Sequence, residues 1–167
     1  MDLEAKQIRA AVVTASDSRK PGDDVSGATL VGLLIDLGAE IVERRIVSDD
    51  RDVISSALRE LADSMNIDVI LTTGGTGLSP RDNTPEATLS VIDRQAWGIA
   101  EAIRAASMKK TPLAMLSRAV AGTRGTTLIV NFPGSPKAVT ECFDVVRPVL
   151  KHAVDLLSGN TRHEKQI

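Results

Sequence analysis

The chain has 167 residues, 43% of them hydrophobic and 25% charged, with a formal net charge of −2 and one cysteine. That is a single domain with enough apolar material for a full core, and its near-neutral balance with few aromatics (Trp97, Phe132 and Phe143) argues against nucleic-acid binding, which wants a basic face or stacking platforms. The first residues lack the basic and apolar regions of a signal peptide and no apolar run approaches the ~20 residues of a membrane span, so no membrane association is expected, while the lone Cys142 fits a reducing cytoplasm.

In chain order, residues 8–14 read as a strand followed by a polar loop over 15–26 that holds Ser16, Asp17, Asp23 and Asp24. Residues 28–37 set Leu30, Leu33, Leu34 and Leu37 on one helical face, with Gly38 where a C-terminal cap belongs. Residues 40–47 form a second strand. Ser48 or Asp49 is the expected N-cap of a helix over 50–65 that turns Ile54, Leu58 and Leu61 inward. Val69, Ile70 and Leu71 belong to a third, buried strand. It opens into a loop with Gly74, Gly75 and Gly77, the hydroxyls of Thr72, Thr73, Thr76 and Ser79, and the carboxylate of Asp82, before Thr84 and Pro85 cap and start another helix.

Residues 98–108 spell a helix that stops at Lys109, Lys110 and the Thr111-Pro112 break. Residues 126–131 are a further buried strand, and the turn from Phe132 to Lys137 leads into a C-terminal helix expected to break or restart at Pro148 and to end near Gly159. Residues 160–167 read as a flexible tail. Strands separated by helical segments predict an α/β fold, a three-layer α/β/α sandwich around a mostly parallel sheet, in one domain over 1–167.

The two strand-to-helix turns carry the unusual chemistry. A Gly-rich turn leaving the carboxyl end of a buried strand is where open α/β sheets bind ligands, and a nearby helix N-terminus favours anions. In the second turn Lys137 opposes the helix dipole, which an anion in front of that helix explains; a solvated lysine leaning away explains it equally. The P-loop spacing is absent, and Pro80 stands where a dinucleotide fingerprint needs its third glycine. No nucleophile elbow exists, and Cys142 reads as a packed thiol. The remaining candidates are the carboxylates Asp49, Asp50, Asp52 and Asp82, near loops able to hold phosphates; hard oxygen ligands used beside substrate phosphates suit magnesium.

The run Thr72-Thr73-Gly74-Gly75-Thr76-Gly77, then Asp82, then Thr84-Pro85-Glu86-Ala87, resembles the signature of the molybdenum-cofactor biosynthesis proteins of the MoaB/Mog type, including the G domains of gephyrin and its plant relatives. Pro112 to Arg118, Ala121-Gly122 and Leu128 to Gly134 resemble that family in the same order, so the resemblance covers nearly the whole chain. It implies a molybdopterin-binding-like fold and molybdopterin adenylyltransferase activity. AMP passes from Mg-ATP to the terminal phosphate of molybdopterin and pyrophosphate is released. It also implies a homotrimer, and a separate molybdate-insertion enzyme as downstream partner. The chemistry fits a protein without a nucleophilic side chain, because the nucleophile belongs to the substrate.

By this resemblance Asp82 is the principal catalytic carboxylate and, with Asp49, holds the Mg2+; an Asx turn for Asp82 and a plain helix cap for Asp49 are the structural alternatives. Thr72, Thr73, Gly74, Gly75, Thr76 and Gly77 then cradle the pterin or a phosphate, joined by Pro133, Gly134 and Ser135 from the second turn. Glu101, Arg104 and Ser107 share one helix face, which lines the pterin pocket or meets solvent or a subunit. Asp24, Ser26 and Gly27 match a family element near the nucleotide. Arg118 follows the family's Ser-Arg pair, with no physical role legible in the sequence. Two other functions stay open: a molybdopterin carrier or scaffold without transferase activity, and a nucleotide-hydrolysing domain with no pterin role.

Overall fold

The computed structural model describes residues 7–64 and 66–160. Along the chain run β1 (Arg9–Ala15), α1 (Val25–Asp36), β2 (Glu40–Val47), α2 (Arg51–Ser64), β3 (Val69–Thr73), α3 (Thr84–Leu89), β4 (Arg94–Gln95), α4 (Trp97–Met108), β5 (Ala121–Arg124), β6 (Thr127–Phe132) and α5 (Pro136–Leu157). The β-branched and alanine-rich segments β1, β3 and β6 are buried along almost their whole length, as strands covered on both faces must be.

They form the middle of a six-stranded sheet of order β2-β1-β3-β6-β5-β4. The pairs β1/β2, β1/β3 and β3/β6 are parallel, and β5 pairs antiparallel with both β6 and β4. Alternation along the strands supplies two cores. On one face Val12, Leu71, Val130 and Phe132 pack against Leu30 and Leu34 of α1, Ile103 of α4, and Phe143, Val146 and Leu150 of α5. On the other, Val13, Ile70 and Ile129 meet Ile54, Leu58 and Leu61 of α2 and Ala87 of α3. This is the expected three-layer sandwich.

The chain leaves β1 over one face to reach β2 and returns over the opposite face to β3, on the far side of β1. Strand order therefore reverses between β1 and β3, and the carboxyl ends of those strands open a crevice, the place where such sheets bind ligands.

Several sequence expectations are corrected. The antiparallel edge, β4 and β5, was not anticipated: Arg94–Gln95 is too short, and Ala121–Arg124 too poor in apolar residues, to read as strands. Helix α5 runs through Pro148 without a break. Pro148 is exposed, and Val146 and Leu150 are buried on either side of it, so packing holds the helix together where one hydrogen bond is missing. The cap of α2 is Asp50, whose Oδ1 accepts from the amides of Asp52 and Val53, and not Ser48 or Asp49. At α3 the N-cap position belongs to Asn83, with Thr84 the first helical residue. Met65, at the end of the expected second helix, and 161–167 of the expected tail lie outside the described residues.

Candidate active site

The loop after β3 is shaped by its glycines. Gly74 and Gly75 take φ of +92° and +66°, a region open to glycine, and a Cβ on Gly74 would stand 2.5 Å from the carbonyl oxygen of Ala15 at the end of β1. The side chain of Thr84 donates to the Gly74 carbonyl at 2.9 Å, and its amide donates to Gly75 O at 3.1 Å. These bonds fold the loop back onto the start of α3.

Two carboxylates flank the glycines. Asp49 Oδ1 lies 3.5 Å from the Cβ position of Gly75, and Asp82 Oδ2 lies 2.9 Å from that of Gly77. Asp82 also accepts from the Ser79 amide at 3.1 Å, a bond from three residues back that braces the loop without being an Asx turn, since the Thr84 amide goes to Gly75 O. With Asp50 capping the helix, Asp49 is free of that duty. It exchanges backbone-to-carboxylate hydrogen bonds with Asp17, at 2.9 and 3.0 Å, tying together the loops that leave β1 and β2.

Burial pushes the Asp49 carboxyl up, and the neighbouring charges of Asp17 and Asp82 push it the same way. Arg81 makes two 2.9 Å bonds to Asp17 and holds that carboxyl below its usual range. Among the described residues no group of three or more His, Cys, Asp or Glu is arranged to hold a metal ion by itself.

Between the carboxylates, the amides of Gly75, Thr76, Gly77 and Leu78 make no hydrogen bond to other described residues. A run of unpaired backbone donors in a turn is an anion cradle. By contrast, the hydroxyls of Thr72 and Thr73, expected to face a ligand, are turned into the protein. Asn131 Nδ2 donates to Thr72 Oγ1 at 3.0 Å and to Thr88 Oγ1 at 2.9 Å, while Thr73 donates to Pro133 O at 2.6 Å.

The second turn is bound to the first. Gly74 N donates to Phe132 O at 3.2 Å, and Gly134 sits against Gly74, its Cβ position 3.6 Å from that residue's Cα. From behind, Ser26 Oγ and Arg19 Nη2 both donate to Gly134 O, at 2.5 and 2.9 Å. Asp24 is buried, accepts from Thr14, the Gly27 amide and Arg44, and caps α1; a Cβ on Gly27 would come within 2.1 Å of its Oδ2. In the segment expected at the nucleotide, Ser26 thus supports the second turn, while Asp24 commits its carboxylate to β1, the start of α1 and Arg44. Ser135 caps α5 through Ala138 N, and Lys137 is exposed.

Thr76 and Gly77 also border a cavity of about 280 Å³ whose walls include Ile103, Leu116, Ala119, Pro133 and Cys142. Arg104 and Ser107 line it, one of the alternatives left open for that helix face, and Glu141 is the one carboxylate among the described lining residues. Glu101, one turn earlier on α4, is exposed and is not part of the lining. Cys142 is 2% exposed, and burial raises its thiol. It packs beside Ser107, as expected of a structural cysteine.

Sequence reasoning missed Asp17, Arg19, Arg81 and Glu141, and gave Arg118 no role. Only Asn131 carried a local signal, as a polar residue inside an apolar strand that demands buried partners. Arg118 donates from its amide to Thr76 O, from Nε to Gly77 O and from Nη2 to Asp82 O, and its Nη1 pairs with Glu86.

A glycine-rich loop with unpaired amides at the switch point of a doubly wound sheet, bordered on one side by carboxylates and on the other by a cavity, is the arrangement in which open α/β sheets bind ligands. The family model "Probable molybdopterin binding domain" matches residues 11–152, and the chain belongs to that family. It is 40% identical over 157 residues to the molybdopterin adenylyltransferase of Helicobacter pylori, covering 92% of this chain and 89% of that one. It is 43% identical over 158 residues to the molybdenum cofactor synthesis protein cinnamon of Drosophila melanogaster, of which it covers 26%. The crystal structure of the molybdopterin biosynthesis enzyme MoaB from Thermus thermophilus superposes with a TM-score of 0.84 at 43% identity, over 92% of this chain and 98% of the other.

Proposed function

We propose that the protein is a molybdopterin adenylyltransferase of molybdenum cofactor biosynthesis, moving AMP from Mg-ATP onto the terminal phosphate of molybdopterin. The observation that carries this reading is the double border of one loop. Thr76 and Gly77 line the cavity, while the same loop offers unpaired amides between Asp49 and Asp82. A heterocycle in the cavity thereby brings its terminal phosphate to the place where a second, polyphosphate substrate meets amide donors.

The balance of the step is simple. A phosphate oxygen of molybdopterin forms a bond to the α-phosphorus of ATP, the bond from that phosphorus to the bridging oxygen breaks, and pyrophosphate departs with the electron pair. No protein nucleophile is needed, so the chain's contribution is positioning and charge stabilisation. The loop amides face developing charge on the transferred group, and Asp49 and Asp82 fix the electrostatics on either side.

The acidic flank fits magnesium. Asp49, whose carboxyl is raised by burial and by like charges, and Asp82 would hold the ion together with substrate phosphates. When bound, the ion screens the triphosphate and stabilises the leaving pyrophosphate. The second turn, Pro133 to Ser135, adjoins the loop through Gly134, with Ser26 behind it and Asp24 and Gly27 at the start of α1. In this reading the molecule works as a cytoplasmic homotrimer, and its adenylylated product passes to a molybdate-insertion enzyme.

Asp82→Asn tests the assignment. It is expected to retain the fold and molybdopterin affinity while turnover falls by at least ~100-fold, the scale of losing one key electrostatic group. Undiminished turnover removes Asp82 from the mechanism.

A further inference from the structure

We infer that Arg118 is a positioning residue that aims the peptide groups of the Gly-rich loop, so that their N–H groups face a polyphosphate and their carbonyls face away. Its bonds reach both ends of the loop at once. The Arg118 amide and Nε hold Thr76 O and Gly77 O at 2.8 and 2.7 Å, and Nη2 holds Asp82 O at 2.7 Å. Glu86, on the first turn of α3, pairs with the remaining arm and fixes the plane of the guanidinium.

Each peptide group is planar and trans, so a carbonyl drawn toward Arg118 sends the N–H of the same unit the opposite way. Those N–H groups belong to Gly77, Leu78 and Asn83. None of them donates to another described residue. Left to itself, a glycine-rich turn samples many orientations of these units. The rigid guanidinium fork removes that freedom at the Gly77 and Asp82 carbonyls, while the Arg118 backbone amide holds that of Thr76. Arg118 does not line the cavity, although Ser117 and Ala119 do, so it acts through the loop and not on the substrate. A lysine, with one ammonium, cannot hold separated carbonyls in a fixed plane.

This inference rests on the proposed transferase for its turnover arm, and a binding arm is independent of it. Arg118→Lys, Arg118→Ala and Glu86→Gln are compared with the native protein in four measurements: calorimetric binding of magnesium pyrophosphate, molybdopterin affinity, AMP-transfer kinetics and thermal denaturation. Both Arg118 variants are expected to lose about 10-fold or more in pyrophosphate affinity and in kcat, with molybdopterin affinity within about twofold of native. Glu86→Gln, which leaves the carbonyl bonds in place but loosens the plane of the guanidinium, is expected to lose less than either Arg118 variant in both. Should Arg118→Ala not fold, the lysine variant and Glu86→Gln decide the matter.

Full recovery by lysine, or pyrophosphate affinity and kcat within about twofold of native in a folded Arg118 variant, overturns the inference. So does a uniform loss that includes molybdopterin binding, which marks a merely structural role. Native protein that fails to bind pyrophosphate overturns it regardless of turnover. Native protein that binds pyrophosphate but transfers no AMP sinks the transferase reading alone, and the Arg118 comparison then proceeds on affinity.

Discussion

Burial by itself would raise the Asp24 carboxyl, but hydrogen bonds from Thr14, the Gly27 amide and Arg44 outweigh it, and its pKa lies below the ordinary 3.8. A carboxyl lowered by folding contributes stability that is fully present above its unfolded value and is lost as pH falls through its folded value. Asp24→Asn is therefore expected to cost about 2 kcal/mol in urea denaturation at pH 7, the scale of hydrogen bonds to a buried charge. As pH falls below 3.8 and on through the lowered folded value the gap between variant and native protein should narrow, because the native protein then takes up the proton at a cost the variant does not bear. A gap that stays constant or widens toward low pH contradicts this account. Asp49 has the opposite sign: its raised carboxyl costs stability at neutral pH.

Among the elements, α5 shows packing overriding local preference. Pro148 removes one helical hydrogen bond from a helix whose buried face, Val139, Cys142, Phe143, Val146, Leu150 and Val154, nevertheless stays continuous. Pro148→Ala restores the missing donor at an exposed position. It is expected to stabilise the protein by about 1 to 2 kcal/mol after the added freedom of the unfolded chain is subtracted, read from the urea midpoint. No gain would mean that the helix is already relaxed around the proline. This is also where reading the sequence stops. Periodicity located β1, β2, β3, β6 and the helices because their apolar spacing is local, and glycine with Asp82 marked the loop because such chemistry clusters in turns. Arg118 and Arg19 were illegible because each acts on carbonyls far away in sequence, which no local pattern records. The partners of the Thr72 and Thr73 hydroxyls were illegible for the same reason: they come from β6 and the turn after it.

At the scale of the whole molecule, the reversal of strand order beside β1 creates the crevice, and the β3 and β6 turns close it from two sides. Leu113, Met115 and Leu116, exposed in the short 3-10 turn after α4, lie beside the cavity mouth, an apolar surface of the kind that subunit contacts cover. Sedimentation equilibrium is expected to give a mass three times the 17.7 kDa of the chain, and a monomer at all concentrations would remove the trimer from the proposal. The central claim is that this crevice joins AMP to molybdopterin, and the most direct measurement is mass spectrometry of the products after anaerobic incubation of the purified protein with molybdopterin and Mg-ATP. The account predicts adenylylated molybdopterin and an equal amount of pyrophosphate; molybdopterin recovered bound but unmodified would contradict it and leave a carrier in place of an enzyme.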